Sequence, residues 1–215
     1  MKNEILESTL FVRYYENTKD KEPKEVTMSE IASLLEKESE KEKIAEYIYL
    51  RLYTRFLKLF DYETEDESFK REYKHGFLQM AACCMCIESL ASFLEGTDRT
   101  EEIGKGHEAF NKVFNFAKNL DNKLLTFLSD NIYSSVRNAV LHQGETYKGF
   151  KITRKDGEKL YQKSTKTVNA HIFHKELVKL LKSYKKELVE SSWSSEKWDN
   201  ARRKIRSIID NCEKK

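Results

Sequence analysis

An all-α fold carrying one small β-hairpin is what the sequence predicts, on three observations. One proline and seven glycines in 215 residues leave few points at which a helix must stop. Apolar residues recur at three- and four-residue steps over long segments, the period of a helix with one buried face. That period changes in one place, after Gly144, where Tyr147, Phe150 and Ile152 gather around Gly149. The chain is polar, with 35% charged and 39% hydrophobic residues, but an aromatic share of 12% argues against disorder. No internal repeat or low-complexity tract is present.

The elements follow in order. Residues 4–16 fit a short helix, or a strand at FVRYY. TKDKEPKEVTMSE reads as a charged loop around Pro23. Thr27 then reads as a helix N-cap with Glu30 at the third position, and IASLLEKES as a short helix. Residues 40–60 form an amphipathic helix with Ile44, Tyr47, Ile48, Leu52, Phe56, Leu59 and Phe60 on its apolar face. YETEDES is an acidic connector. Residues 69–95 make the most apolar helix, in which Ala81, Ala82, Ala91 and Ser92 permit close packing. Gly96 to Gly106 is a loop, and 107–119 and 121–142 are two further helices. An Asp-Gly turn in RKDGEK pairs 147–155 with 158–163 as the hairpin. Helices over 168–190 and about 195–212 close the chain. The whole, 1–215, is expected to be one helical domain. It divides into an N-terminal extension (1–38), core helices (39–146), the hairpin (147–167) and C-terminal helices (168–215).

Charge is uneven beneath a net +3. Residues 148–215 hold 19 Lys or Arg against 9 Asp or Glu, and residues 1–147 hold 20 against 27. A basic C-terminal third suits a polyanion as partner. No segment reaches the roughly 20 apolar residues of a membrane span, and MKNEILESTLF has no signal-peptide run. A cytoplasmic protein without membrane contact is expected. Cys83 and Cys86 have the spacing of half a zinc site, but no second pair follows, so packed thiols are expected. His171, His174 and Glu176 read as solvated positions around Ile172 and Phe173 rather than as metal ligands. GKGHEAF lacks the spacing and the Ser or Thr of a phosphate loop. No metal and no cofactor are expected.

Two features remain. Glu88 stands between Ile87 and Leu90 in the most apolar helix, and a buried carboxylate needs a partner. SSVRNAVLHQGETYKGF places Arg137, Asn138 and His142 at a helix end, and Gly144 lets the backbone turn away. Asn138 and His142, four apart, face one way. Arg137 and His142 lie about 140° apart around the axis, within reach of a long side chain. Each residue alone has a structural use, since Arg and His offset the helix dipole and Asn caps. Together they form a set with chemistry.

RNAVLH, residues 137–142, resembles the Arg-polar-x3-His signature of the HEPN superfamily. HGFLQMAACCMCIESLASFLEG resembles the preceding helix in a group of bacterial HEPN-like proteins. VRNAVLHQGETYKGFKI resembles the same group's motif helix and following hairpin. The resemblance covers residues 69–153. It implies a helical bundle, a homodimer and metal-independent RNA cleavage at a cleft between two motif helices. Arg137 would hold the phosphate, His142 would act as general acid or base, Asn138 would orient them, and Glu88 would support Arg137 or His142. Lys148, Lys151, Arg154 and Lys155 would extend the RNA-binding surface. A toxin or defence effector with an antitoxin partner fits this family. One toxin subgroup carries a tyrosine two residues after the histidine, for modification by its antitoxin. Here that position is Gly144 and the nearest tyrosine is Tyr147, so that route does not carry over. Two alternatives stand beside cleavage. One is a non-catalytic HEPN module that binds RNA, a nucleotide or a protein. The other is a helical scaffold in which Arg137 pairs with Glu88 and His142 is buried.

Overall fold

In a computed structural model, residues 2–17, 19–61, 75–104, 106–155 and 157–213 are described. The fold is mainly helical, with two small sheets. The N-terminal ambiguity resolves into both alternatives: helix α1 (Lys2–Ser8) precedes strand β1 (Leu10–Tyr14). The charged loop is shorter than expected, because Lys24–Thr27 forms β2 antiparallel to β1. Thr27 caps α2 (Met28–Leu34) as expected. Its hydroxyl accepts from Glu30 N at 3.1 Å, and Glu30 Oε2 accepts from Thr27 N at 2.6 Å.

Helix α3 (Lys41–Leu52) continues into a π turn over Tyr53–Leu57 and a 3₁₀ turn over Lys58–Phe60. The π turn corrects the expected apolar face. It inserts one residue, so Leu57 takes the buried place that the 3.6 period assigns to Phe56, and Leu59 is left 74% exposed. YETEDES, and residues 69–74 of the helix expected over 69–95, lie outside the described residues.

Helix α4 (Gly76–Glu95) runs through the core and packs against α5 (Gly106–Asn119), α7 (Ala170–Glu190) and α8 (Glu196–Glu213). Contrary to expectation, α4 is long and apolar enough to cross a membrane. Its apolar surface is instead used inside the fold, where 67% of its most apolar window is buried. Cys83, Cys84 and Cys86 are buried free thiols on this helix, held above the usual thiol range by burial.

The helix expected over 121–142 is broken. Asn122 caps a 3₁₀ turn over Lys123–Phe127, and Asn131 accepts from Ser134 N at 3.1 Å to start a second segment. That segment is a π turn over Tyr133–Asn138 leading into α6 (Ala139–Gln143). Two local side-chain caps beat the continuous helical pattern.

The expected hairpin is also corrected. β3 (Lys151–Thr153), β4 (Tyr161–Gln162) and β5 (Thr167–Asn169) form a mixed sheet of order β3-β5-β4. β5 lies between the two segments expected to pair; it is parallel to β3 and antiparallel to β4. The true hairpin is β4–β5, turning at Lys166 with φ +51°. Asn169 fixes this arrangement. Its backbone N donates to Leu160 O at 2.9 Å, its Nδ2 donates to Lys155 O at 2.9 Å, and its Oδ1 caps α7. Helix α7 therefore starts two residues later than expected.

Candidate functional site

The site grows from the packing of α4 against the π turn that precedes α6. Glu88, on an otherwise buried stretch of α4, meets Arg137 of that turn. Arg137 Nη2 donates to Glu88 Oε2 at 3.1 Å. Nε lies 3.0 Å from Oε1, an ion-pair contact too bent to be a hydrogen bond. The two side chains are 21% and 17% exposed, so this is a half-buried, two-point pair. On its other edge Arg137 Nη1 donates to Asn138 Oδ1 at 3.0 Å. Beneath it the guanidinium carbon lies 5.4 Å from the Tyr133 ring centroid. Burial pushes the Arg137 pKa down, but the hydrogen bond and charge of Glu88 outweigh it and leave the pKa raised. Burial first, then the charge of Glu88, also raises the Cys84 thiol, while Arg137 opposes this.

His142 is placed differently. It lies exposed on α6, next to the helix end where Gly144 adopts φ +67° and donates to Val140 O at 3.1 Å. Among the described residues it makes no hydrogen bond or ion pair. The structure thus brings Arg137, Asn138 and Glu88 into contact and leaves His142 open to solvent. The scaffold alternative expected a buried His142; this finding removes that part of it and keeps the Arg137–Glu88 pair.

After α6 the chain folds back. Tyr147 N donates to Ser135 O at 2.9 Å, an oxygen inside the π turn, and Thr146 Oγ1 donates to Phe150 O at 2.6 Å. Of the basic residues expected to extend the surface, Lys148, Lys151 and Lys155 are exposed and Arg154 is half-buried. Lys148 adopts φ +55°, and its carbonyl accepts from Lys166 Nζ at 2.9 Å. Arg154 packs over Gly76, where a Cβ would meet its Cγ at 3.5 Å.

The sequence reading missed Tyr133, although its position four residues before Arg137 is the spacing that stacks two helical side chains. It also missed several exposed apolar residues. Phe77, Leu78 and Met85 on α4 are 37%, 52% and 39% exposed, and Leu141 and Tyr147 are 40% and 39% exposed. Met85 precedes Glu88 by three residues and Leu141 follows Arg137 by four, so helical spacing sets both on the faces that carry the pair. Uniform apolarity of α4 concealed which of its residues face outward. His174 and Glu176 are not solvated as expected: they are 1% and 5% exposed. His174 bonds Leu57 O at 3.0 Å, and Glu176 accepts from Lys179 Nζ at 2.7 Å. The buried face of α7 is wider than its apolar residues alone indicate. Among the described residues no group of three His, Cys, Asp or Glu side chains is arranged to hold a metal ion.

Comparison with protein-family models, with curated proteins and with solved structures finds no match to this chain.

Proposed function

We propose that the chain is a metal-independent endoribonuclease of the HEPN type, acting in the cytoplasm as a toxin or defence effector. The observation that carries this reading is Arg137. It is fixed by Glu88 on one edge and Asn138 on the other, stays partly open to solvent, and is followed on the next helical segment by an exposed His142. In the proposed reaction the ribose 2′-oxygen attacks the adjacent phosphorus and the bond to the 5′-oxygen breaks. His142 serves as general acid or base, and Arg137 stabilises charge on the phosphate oxygens. The products are a 2′,3′-cyclic phosphate and a 5′-hydroxyl.

A homodimer belongs to the same proposal. Among the described residues no hydrogen bond joins Arg137 to His142, and Met85 on α4 and Leu141 on α6 are exposed. Pairing two copies across this face would cover the apolar residues and gather two arginines and two histidines. One observation favours the alternative of a non-catalytic HEPN module that binds RNA, a nucleotide or a protein. Glu88 and Asn138 already occupy donors on both edges of Arg137, which leaves fewer for a phosphate. A chimeric oligonucleotide decides between them. With EDTA present, an RNA strand is expected to be cut, and the same strand with 2′-O-methyl riboses is expected to be bound and left whole. Binding of both with cleavage of neither would establish the non-catalytic reading.

A further inference from the structure

A second cluster of cations, on other elements, has no carboxylate partner among the described residues. Arg51 and Arg55 stand one turn apart where α3 passes into its π turn, and both reach over β1. Arg51 Nη1 and Arg55 Nη2 donate to the same atom, Phe11 O, the latter at 3.3 Å, and Arg55 Nη2 also lies 3.4 Å from Leu10 O. The register shift between Leu10 and Val12 frees this carbonyl from the β1–β2 ladder. The Arg51 guanidinium also lies 4.6 Å from the centroid of the fully buried Phe11 ring. Neither arginine has a carboxylate partner among the described residues.

A third cation, Lys204 of α8, stands near this pair, with the carboxylates of Asp98 and Glu102 in its own reach. Burial, and then the Arg55 charge, press Arg51 toward losing its proton. Burial lowers the pKa of Lys204, the charge of Asp98 opposes this and the Arg51 charge adds to it, and Lys204 Nζ donates to Asp98 O at 2.5 Å. Cys212, in the last turn of α8, lies within electrostatic reach of both arginines. The negative end of α8 therefore faces the pair, but a helix terminus carries only about half a charge against two full ones. A guanidinium offers five N–H donors. Between them the two groups make three contacts to strand carbonyls, so most of their donors stay available. Two planar forks at one point match a tetrahedral oxyanion, which presents oxygens to both.

We propose that Arg51 and Arg55, with Lys204 beside them, form a phosphate-binding site separate from the Arg137 site. The ligand is a phosphate group, supplied by a small phosphorylated molecule or by a nucleic-acid backbone. Cys212 reports on it, because it is the one cysteine of the four that is not buried.

The test uses the full chain, inorganic phosphate as probe, and chloride to hold ionic strength constant. Melting temperature is read beside the rate at which Cys212 reacts with a dianionic aromatic disulfide, with a neutral maleimide as control. In the unsubstituted protein, phosphate is expected to raise the melting temperature saturably and to slow the dianionic reagent. Arg55→Gln, at an exposed position, is expected to abolish both effects. It should also slow the dianionic reagent on the order of tenfold while leaving the maleimide rate alone. His142→Ala is expected to keep both phosphate effects. A DNA oligonucleotide that protects Cys212 where inorganic phosphate does not would identify the backbone as the source, and Arg55→Gln should remove that protection too. The proposal is overturned if neither probe acts, or if Arg55→Gln responds as the unsubstituted protein does.

Discussion

Removing the Glu88 carboxylate tests how the candidate site is built. At 3.0 to 3.1 Å, two unit charges in an effective dielectric of 20 attract by about 5 kcal/mol. Dehydration of both groups opposes this, and side-chain exposures of 21% and 17% allow some solvent screening. The net coupling should therefore be roughly 1–3 kcal/mol, between a surface pair and a fully buried one. Glu88→Gln, Arg137→Gln and the double substitution form the cycle that isolates it. Urea unfolding at neutral pH is the assay. In a thermal scan the single Glu88→Gln change should lower the melting temperature by roughly 2–12 °C, at about 2–4 °C per kcal/mol for a chain of this size. Coupling should persist in 1 M salt, because screening reaches a half-buried pair weakly. Additive single effects, with coupling below about 0.5 kcal/mol, would refute the claim that Glu88 holds Arg137.

Three further outcomes follow from named contacts. Burial lowers the pKa of His174, against the hydrogen bond that Leu57 O accepts from its ring, so the folded protein takes up the proton at lower pH than the unfolded chain. Its stabilising contribution is present above the ordinary histidine value near 6.5 and is lost as pH falls below it. Melting temperature measured from pH 7.5 down to 5.5 should drop less steeply in His174→Gln. Among the described residues Gln79 is fully buried with neither amide atom bonded, so Gln79→Leu should match or exceed the native stability, by up to about 2 kcal/mol in urea unfolding. A Cβ at Gly106 would stand 1.9 Å from the Tyr133 hydroxyl, so Gly106→Ala should cost about 1–3 kcal/mol. It should also disturb the ring beneath Arg137, which near-ultraviolet circular dichroism would register.

Much of this architecture was legible because it is local. The Thr27–Glu30 capping box needs only four residues, and α5, α7 and α8 follow from one unbroken helical period each. The pairing of Glu88 with Arg137 was foreshadowed by a carboxylate that had to find a partner inside an apolar helix. What escaped the sequence depends on distant contacts or on one inserted residue. The π turn at Tyr53–Leu57 exchanges Phe56 for Leu57 in the core and sends Leu59 out, and no residue type announces it. β3 finds β5 rather than β4 because Asn169 fastens the connection from both sides. His174 looked solvated because the Leu57 carbonyl that receives it lies far away in sequence. The orientation of α4 was hidden by its uniform apolarity, and with it the exposure of Phe77, Leu78 and Met85.

Cleavage of total cellular RNA with EDTA present, by the native protein beside His142→Ala, tests the central claim most directly. Cutting by the native protein and none by the variant is expected, with both folded and with equal melting temperatures, since exposed His142 makes no bond among the described residues. Equal cutting by both would contradict it.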